Sequence, residues 1–232
     1  MCGRYVSPDQ AEIEREYDIR VSDPFERIYN AAPTMTLPVI IGGGGAARQC
    51  VGMRWGFVPS WWSKPEPPTS TINARAEEAA SKPMWRQAVR HARCLVPALG
   101  WFEWQTRNSE VAGQGAKQPF FIHGPDMSSL AFAGLWASRQ QAGVEQRSFA
   151  ILTRAAVGPV TAVHNRMPVV LPKDRFAEWQ DPGILDGAEL LQRVLQMSDA
   201  TVEFYPVSTR VNSPRNQGKA CIEPLQADSQ SH

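Results

Sequence analysis

Apolar runs of strand length dominate the pattern of hydrophobic and polar positions, and the helical periods between them are brief. "MTLPVII" at 35–41 and "CVGMRWGFV" at 50–58 flank "GGGG" at 42–45, which predicts two strands joined at a glycine-rich hairpin tip. The runs "CLVPALGWFEWQ", "PFFIHG", "LAFAGLWASR" and "SFAILTRAA" predict four further strands between turn-rich loops, and "MPVVLP" and "VEFYPVS" add two more. Helix signals are fewer. Ser7, Pro8 and Gln10 predict a start with Ser7 as N-cap, Pro8 at the first position and Gln10 completing a capping box. That helix runs to about Asp18 and buries Ile13 and Tyr17. "PMWRQAVRH", "DRFAEWQ" and residues 186–197 predict three more, the last with Asp186 and Glu189 at capping-box spacing.

The strands are not regularly interleaved with crossover helices, which excludes a doubly wound α/β fold. The pattern predicts one α+β domain over residues 1–224, with a curled, mostly antiparallel sheet, peripheral helices and a loose tail over 225–232. "SKPEPPTSTI" at 63–72 carries too much proline for a helix or a central strand and predicts a surface loop. "GGGG" lacks the order of a phosphate-binding loop, and no helix pattern follows it.

Composition changes this picture little. The 232 residues are 43% hydrophobic and 20% charged with a net charge of +1, so a nucleic-acid partner would have to be met by locally clustered arginines. The four cysteines, Cys2, Cys50, Cys94 and Cys221, form no CxxC pair and have no histidine cluster nearby, which argues against zinc. No leader or membrane-length apolar run is present, and the expectation is a cytoplasmic protein with free thiols.

Candidate chemistry lies in five places. Glu103 falls within a strand that is apolar on both faces, where desolvation raises a carboxyl pKa into the range of a general acid–base group. A strand-end glutamate paired with an arginine fits the same residues. His164 precedes an apolar strand beside Arg166, and its near-neutral pKa suits proton transfer, although a lone histidine is more often a satisfied structural residue than a catalyst. Asn73 and Arg75 in "INARAE" offer a donor–acceptor pair and a cationic fork, or simply a polar loop before a helix. Trp61 and Trp62 are suited to stacking unpaired bases, or to plugging the end of a barrel. Finally, once Met1 is removed, Cys2 presents an α-amine and a thiol on one residue. With an aldehyde, the amine forms an imine and the thiol closes on the imine carbon to give a thiazolidine, a ring closure favoured by proximity.

The joint order of "MCGR", "YNAAPT", "RWGFVPSWW", "INARAE", "GWFEW", "PFFI", "VHNRMPVVL", "YPVS" and "NQG" resembles the SRAP (SOS response-associated peptidase) family over residue 1 to about Pro224. The resemblance implies a curled β pseudo-barrel and a sensor that covalently traps abasic sites in single-stranded DNA. It implies Cys2 as nucleophile after Met1 is removed by self-cleavage. It further implies Asn73 as the group orienting the sugar or the linkage, Glu103 as the proton manager, and His164 as an aid to sugar ring opening, strand scission or reversal. By the same resemblance Arg4, Arg75 and Arg166 contact phosphates, and Trp61 and Trp62 meet displaced bases. No cofactor, metal or membrane is implied. A monomer is expected, cytoplasmic and nucleoid-associated when bound to damaged DNA. The proline-stretched loop between Trp62 and Asn73 and a hydrophilic insertion at 106–117 depart from the family pattern. Two other classes compete: an N-terminal-nucleophile amidohydrolase, whose chains also start Met-Cys-Gly, and a noncatalytic single-strand binder that leaves Cys2 without a role.

Overall fold

The computed structural model describes residues 2–43, 46–106, 117–197 and 201–226. Its first half runs β1 (Tyr5–Ser7), α1 (Gln10–Tyr17), β2 (Ile28–Ala31), β3 (Thr36–Gly43), β4 (Ala46–Trp55), β5 (Asn73–Arg75), α2 (Ala76–Ala79) and α3 (Arg86–His91). Then come β6 (Arg93–Ala98), β7 (Gly100–Thr106), β8 (Lys117–His123), β9 (Leu130–Gln141) and β10 (Val144–Ala155). The chain ends with β11 (Arg166–Pro168), α4 (Phe176–Gln180), α5 (Gly187–Met197) and β12 (Glu203–Pro206).

Two sheets carry the architecture. One has the order β12-β8-β7-β1-β2, and the other contains seven strands. In the second, β10 pairs with β4, β4 with β3, β3 with β6, β6 with β9, and β9 again with β10. The sheet thus closes on itself, leaving β5 and β11 as additional partners of β10. Most pairings are antiparallel; β10 runs parallel to β4 and β5. This is the α+β pseudo-barrel expected from the sequence.

Strand alternation sorts the core into two faces. Leu37, Val39, Met53, Trp55, Phe149 and Ile151 point inward and pack with Cys2, Tyr5 and Trp101. Ile40, Leu95, Ala150 and Leu152 point outward beneath α1, α3, α4 and α5, against Ile13, Val89, Trp179 and Leu190. No helix among the described residues is long and apolar enough to cross a membrane. All four cysteines are buried free thiols.

Several local expectations need correction. The N-cap of α1 is Asp9, not Ser7: Asp9 Oδ1 accepts from the Glu12 amide at 3.0 Å, and Glu12 Oε2 accepts from the Asp9 amide at 3.2 Å. Ser7 is held in β1 by pairing opposite Ile28, and Asp9 supplies the stronger acceptor. Asp9→Ala should lower stability by about 1 kcal/mol, read from the urea midpoint. Residues 94–105 form two strands in different sheets, not one, divided at Leu99-Gly100. A Cβ at Gly100 would lie 2.5 Å from the Ile122 carbonyl oxygen, so only glycine permits the crossing there. Asn73–Arg75, for which the sequence offers a polar loop as the alternative to a functional reading, is a strand beside β10, and α3 begins at Arg86 after a turn rather than at Pro83. β11 stops at Pro168; past Val169, whose amide still donates to the Leu152 carbonyl at 2.9 Å, the chain turns to β9, where the Leu171 amide donates to the Ala131 carbonyl at 2.8 Å. Most of the 106–117 insertion and the end of the tail lie outside the described residues.

Candidate active site

β1 brings the N-terminal residues between two strands. Tyr5 lies opposite both Ala31 of β2 and Trp101 of β7, and the Phe102 amide donates to the Arg4 carbonyl at 3.0 Å. Continuing that register toward the N-terminus runs residues 2–3 alongside Glu103. From the other side, β5 aligns Asn73 with Ile151 of β10, and Asn73 Nδ2 donates to the Cys2 carbonyl oxygen at 2.7 Å. Asn73 Oδ1 is buried and has no hydrogen-bond partner among the described residues.

His164 follows a 3-10 turn over Gly158–Ala162 that is tied to β7 by Gln105, whose side-chain amide donates to the Ala162 carbonyl at 2.6 Å. The Arg166 amide donates to His164 Nδ1 at 2.9 Å, which assigns the ring proton to Nε2. That nitrogen faces Glu103 Oε2 at 3.9 Å. Glu103, His164, Trp104, Lys117 and Asn212 line a cavity of about 480 Å³. Cys2, Asn73, Glu103 and His164, far apart in sequence, therefore form one constellation.

Its electrostatics follow from burial. Glu103 is 2% exposed, and desolvation pushes its carboxyl up to about 7. Cys2 is fully buried; desolvation raises its thiol well above the usual range, and the neighbouring Glu103 carboxylate raises it further. Burial lowers His164, with Lys117 and Arg166 adding to the effect, so its imidazole is neutral at pH 7.

The predicted phosphate contacts divide. Arg75 projects outward, its side chain 62% exposed, with Glu78 at 3.7 Å. Arg4 is committed to protein acceptors: Asn30 Oδ1 at 3.0 Å, the Val211 carbonyl at 2.9 Å and the Asn212 carbonyl at 3.2 Å. Arg166 forks onto Glu77 at 2.6 and 2.9 Å and donates to the Thr153 carbonyl at 2.7 Å, which braces the strand behind His164. Trp61 and Trp62 sit on the loop between β4 and β5. Trp61 lines a separate cavity with Phe57, Met84 and Trp136, and Trp62 Nε1 donates to the Glu66 carbonyl at 2.8 Å.

Residue-by-residue reading missed Asn30, Lys117, Asn212 and Gln217. Asn30 is fully buried, and its Nδ2 donates to the carbonyls of Val211, Ser213 and Asn216. Gln217 exchanges two hydrogen bonds with the Asn30 backbone, at 3.1 and 3.2 Å. "YNAAPT" and "NQG" are thus two halves of one clamp. It holds the 3-10 turn Thr209–Asn212, which brings Asn212 to the cavity and supplies acceptors to Arg4. The signal in the sequence was the pair of polar motifs itself, without an indication that they meet.

Comparison with known proteins identifies the family. The family described as "SOS response associated peptidase (SRAP)" matches residues 1–214. The abasic site processing protein YedK of Escherichia coli (strain K12) is 30% identical over 237 residues, covering 97% of this chain and 100% of its own. The abasic site processing protein YoaM of Bacillus subtilis (strain 168) is 32% identical over 232 residues, covering 96% and 98% respectively. A crystal structure of a Bacteroides thetaiotaomicron protein shares the fold with a TM-score of 0.82, at 19% identity over 97% of this chain and 100% of that one. With the family model matched over residues 1–214 and relatives 30–32% identical across nearly the whole chain, this chain belongs to the SRAP family.

Proposed function

We propose that this protein recognises abasic sites in single-stranded DNA, in the context of DNA damage, and traps them covalently through Cys2. The observation that supports this best is the convergence of Asn73 Nδ2 on the Cys2 carbonyl at 2.7 Å beside the raised carboxyl of Glu103. That arrangement holds the future N-terminal residue against an acid–base group. The relatives' names, abasic site processing proteins, point the same way.

Hydrolysis of the Met1–Cys2 bond frees the α-amine. The amine adds to the aldehyde carbon of the ring-opened sugar, forming a C–N bond. Protonated Glu103 gives its proton to the departing hydroxyl, which leaves as water, and a protonated imine remains. The resulting carboxylate takes the thiol proton, the thiolate sulfur bonds to the imine carbon, and the C=N electron pair returns to nitrogen, which ends as a neutral N–H. The product is a thiazolidine, with one water lost overall. A Glu103 carboxyl near 7 has both forms available at neutral pH, as alternating acid and base roles require. Neutral His164 with its proton on Nε2 assists sugar ring opening. Asn73 Oδ1 accepts a hydrogen bond from the sugar or the new linkage.

Intact-mass measurement of the adduct with an abasic single strand tests the reading. The expected mass is the protein without Met1 plus the DNA, less one water. An adduct that keeps Met1, or no adduct at all, would falsify it. Arg75, with its side chain 62% exposed, is the arginine proposed to contact phosphate. Arg75→Ala should weaken single-strand binding and reduce the slope of log affinity against log salt by about 0.7; an unchanged slope removes it from the interface.

A further inference from the structure

A third cavity, of about 420 Å³, lies on the other side of the sheet from Cys2. Three arginines line it: Arg54, Arg139 and Arg147. Gly52 and Arg54 alternate along β4 with Met53 and Trp55, and Ser148 precedes Phe149 on β10. Met53, Trp55 and Phe149 pack with Cys2, so the cavity opens on the outward face.

The charge in this cavity is not balanced. Arg139 is only 7% exposed, and its acceptors are neutral oxygens: Gln146 Oε1 at 3.2 and 3.1 Å, the Lys64 carbonyl at 3.2 Å, and Gln141 Oε1. No carboxylate pairs with it among the described residues, whereas Arg27 has two and Arg166 has one. A buried guanidinium without a counter-ion is costly, and a bound anion would offset that cost. Arg54 is half-buried, also lacks a carboxylate among the described residues, and donates through Nη1 to the Gly56 carbonyl at 2.9 Å. Gly56 has φ +131°, and a Cβ there would lie 2.5 Å from Arg54 Nη1, so the glycine lets Arg54 lie back against the backbone. Arg147 has Glu145 at 3.0 Å, a carboxylate that also accepts from Ser138.

The rest of the lining suits an oxyanion carried on a small organic group. Ser148 Oγ accepts from the Val58 amide at 2.8 Å, leaving its O–H to donate, and Thr36 supplies a second hydroxyl. Pro65 and Pro67 form an apolar wall, on a loop that Arg139 and Gln141 fasten to the β9–β10 hairpin. Guanidinium forks match phosphate geometry, and the volume is that of a small-molecule site.

We infer that this outward cavity binds a phosphate group through Arg54, Arg139 and Arg147, separately from the Cys2 site. The phosphate comes either from a mononucleotide or from a strand of DNA, and the inference does not depend on the abasic-site reading.

Titration calorimetry on the full chain tests it with three probes: inorganic phosphate, a deoxynucleoside 5′-monophosphate, and a short oligothymidylate without an abasic site. Saturable binding of phosphate or mononucleotide is expected, weakened roughly tenfold or more by Arg54→Gln and unchanged by Cys2→Ala. Gly56→Ala, which displaces Arg54 without removing charge, should act in the same direction. Mononucleotide tighter than both other probes identifies a free ligand. An oligothymidylate that competes with phosphate, and is itself weakened by Arg54→Gln, identifies the DNA strand. If Arg54→Gln does not fold, Arg147→Gln at the rim takes its place. No saturable heat with any probe at millimolar concentration, or equal affinities in wild type and these variants, overturns the inference.

Discussion

Cys2→Ala should abolish the denaturation-resistant adduct with abasic single-stranded DNA, and the loss should be complete. Alanine at position 2 keeps the α-amine once Met1 is gone, so attack on the aldehyde still occurs and an imine still forms. What is lost is the second bond. Without sulfur to close on the imine carbon, water reverses the link, and nothing survives a denaturing gel. A hydride reductant added during incubation should recover a band with Cys2→Ala, because reduction fixes the C–N bond without needing the thiol. That pair of results separates the two reactive groups of one residue. Equal adduct from wild type and Cys2→Ala, without reductant, would show that another side chain carries the linkage.

The second large effect is expected at Glu103. Glu103→Gln preserves size and hydrogen bonding but can neither give nor take a proton, and crosslinking should slow by roughly 10²- to 10³-fold. The wild-type rate should inflect near pH 7, where the buried carboxyl titrates, and the inflection should vanish with Glu103→Gln. The same carboxyl leaves a thermodynamic trace with a definite sign. Its folded-state pKa is raised, so its contribution to stability is fully present below the ordinary value of 4.5 and is lost as pH rises through about 7. The loss across that interval amounts to roughly 3 kcal/mol. Urea midpoints should therefore fall from pH 4.5 to 7.5 in the wild type more steeply than in Glu103→Gln. Parallel pH curves would mean that Glu103 is ionised throughout and is not the acid in the dehydration step.

The strand content, the α+β class and the hairpin around the glycine run were legible in the sequence because each depends on local alternation and local turn chemistry. The break at Gly100 was not. "CLVPALGWFEWQ" is continuously apolar, and the reason for the glycine is a carbonyl from β8, more than twenty residues away. Asn73–Arg75 gave no strand signal because a three-residue strand carries no periodicity of its own; its conformation is imposed by β10. The N-cap moved from Ser7 to Asp9 because β1 claims Ser7 through a partner strand. Cys2, Asn73, Glu103 and His164 could be singled out by residue chemistry and family resemblance. The positioning groups behind them could not. Arg4 and Arg166 carry the charge expected of phosphate contacts, yet in this structure their guanidinium groups are spent on the turn at 209–212 and on Glu77. Nothing in their immediate neighbours distinguishes that commitment from an exposed cation such as Arg75.

The clamp between Asn30 and Gln217 has a consequence for the order in which the molecule matures. A ribosome makes the segment bearing Cys2 first and the "NQG" segment some two hundred residues later. Until that late segment emerges, Arg4 lacks its acceptors at Val211 and Asn212, and one wall of the reactive cavity is missing. The nascent chain therefore carries Cys2 through nearly the whole of translation without the cavity assembled beside it. On the proposed function, the ability to trap an abasic site arises only after the 209–217 segment has folded against Asn30.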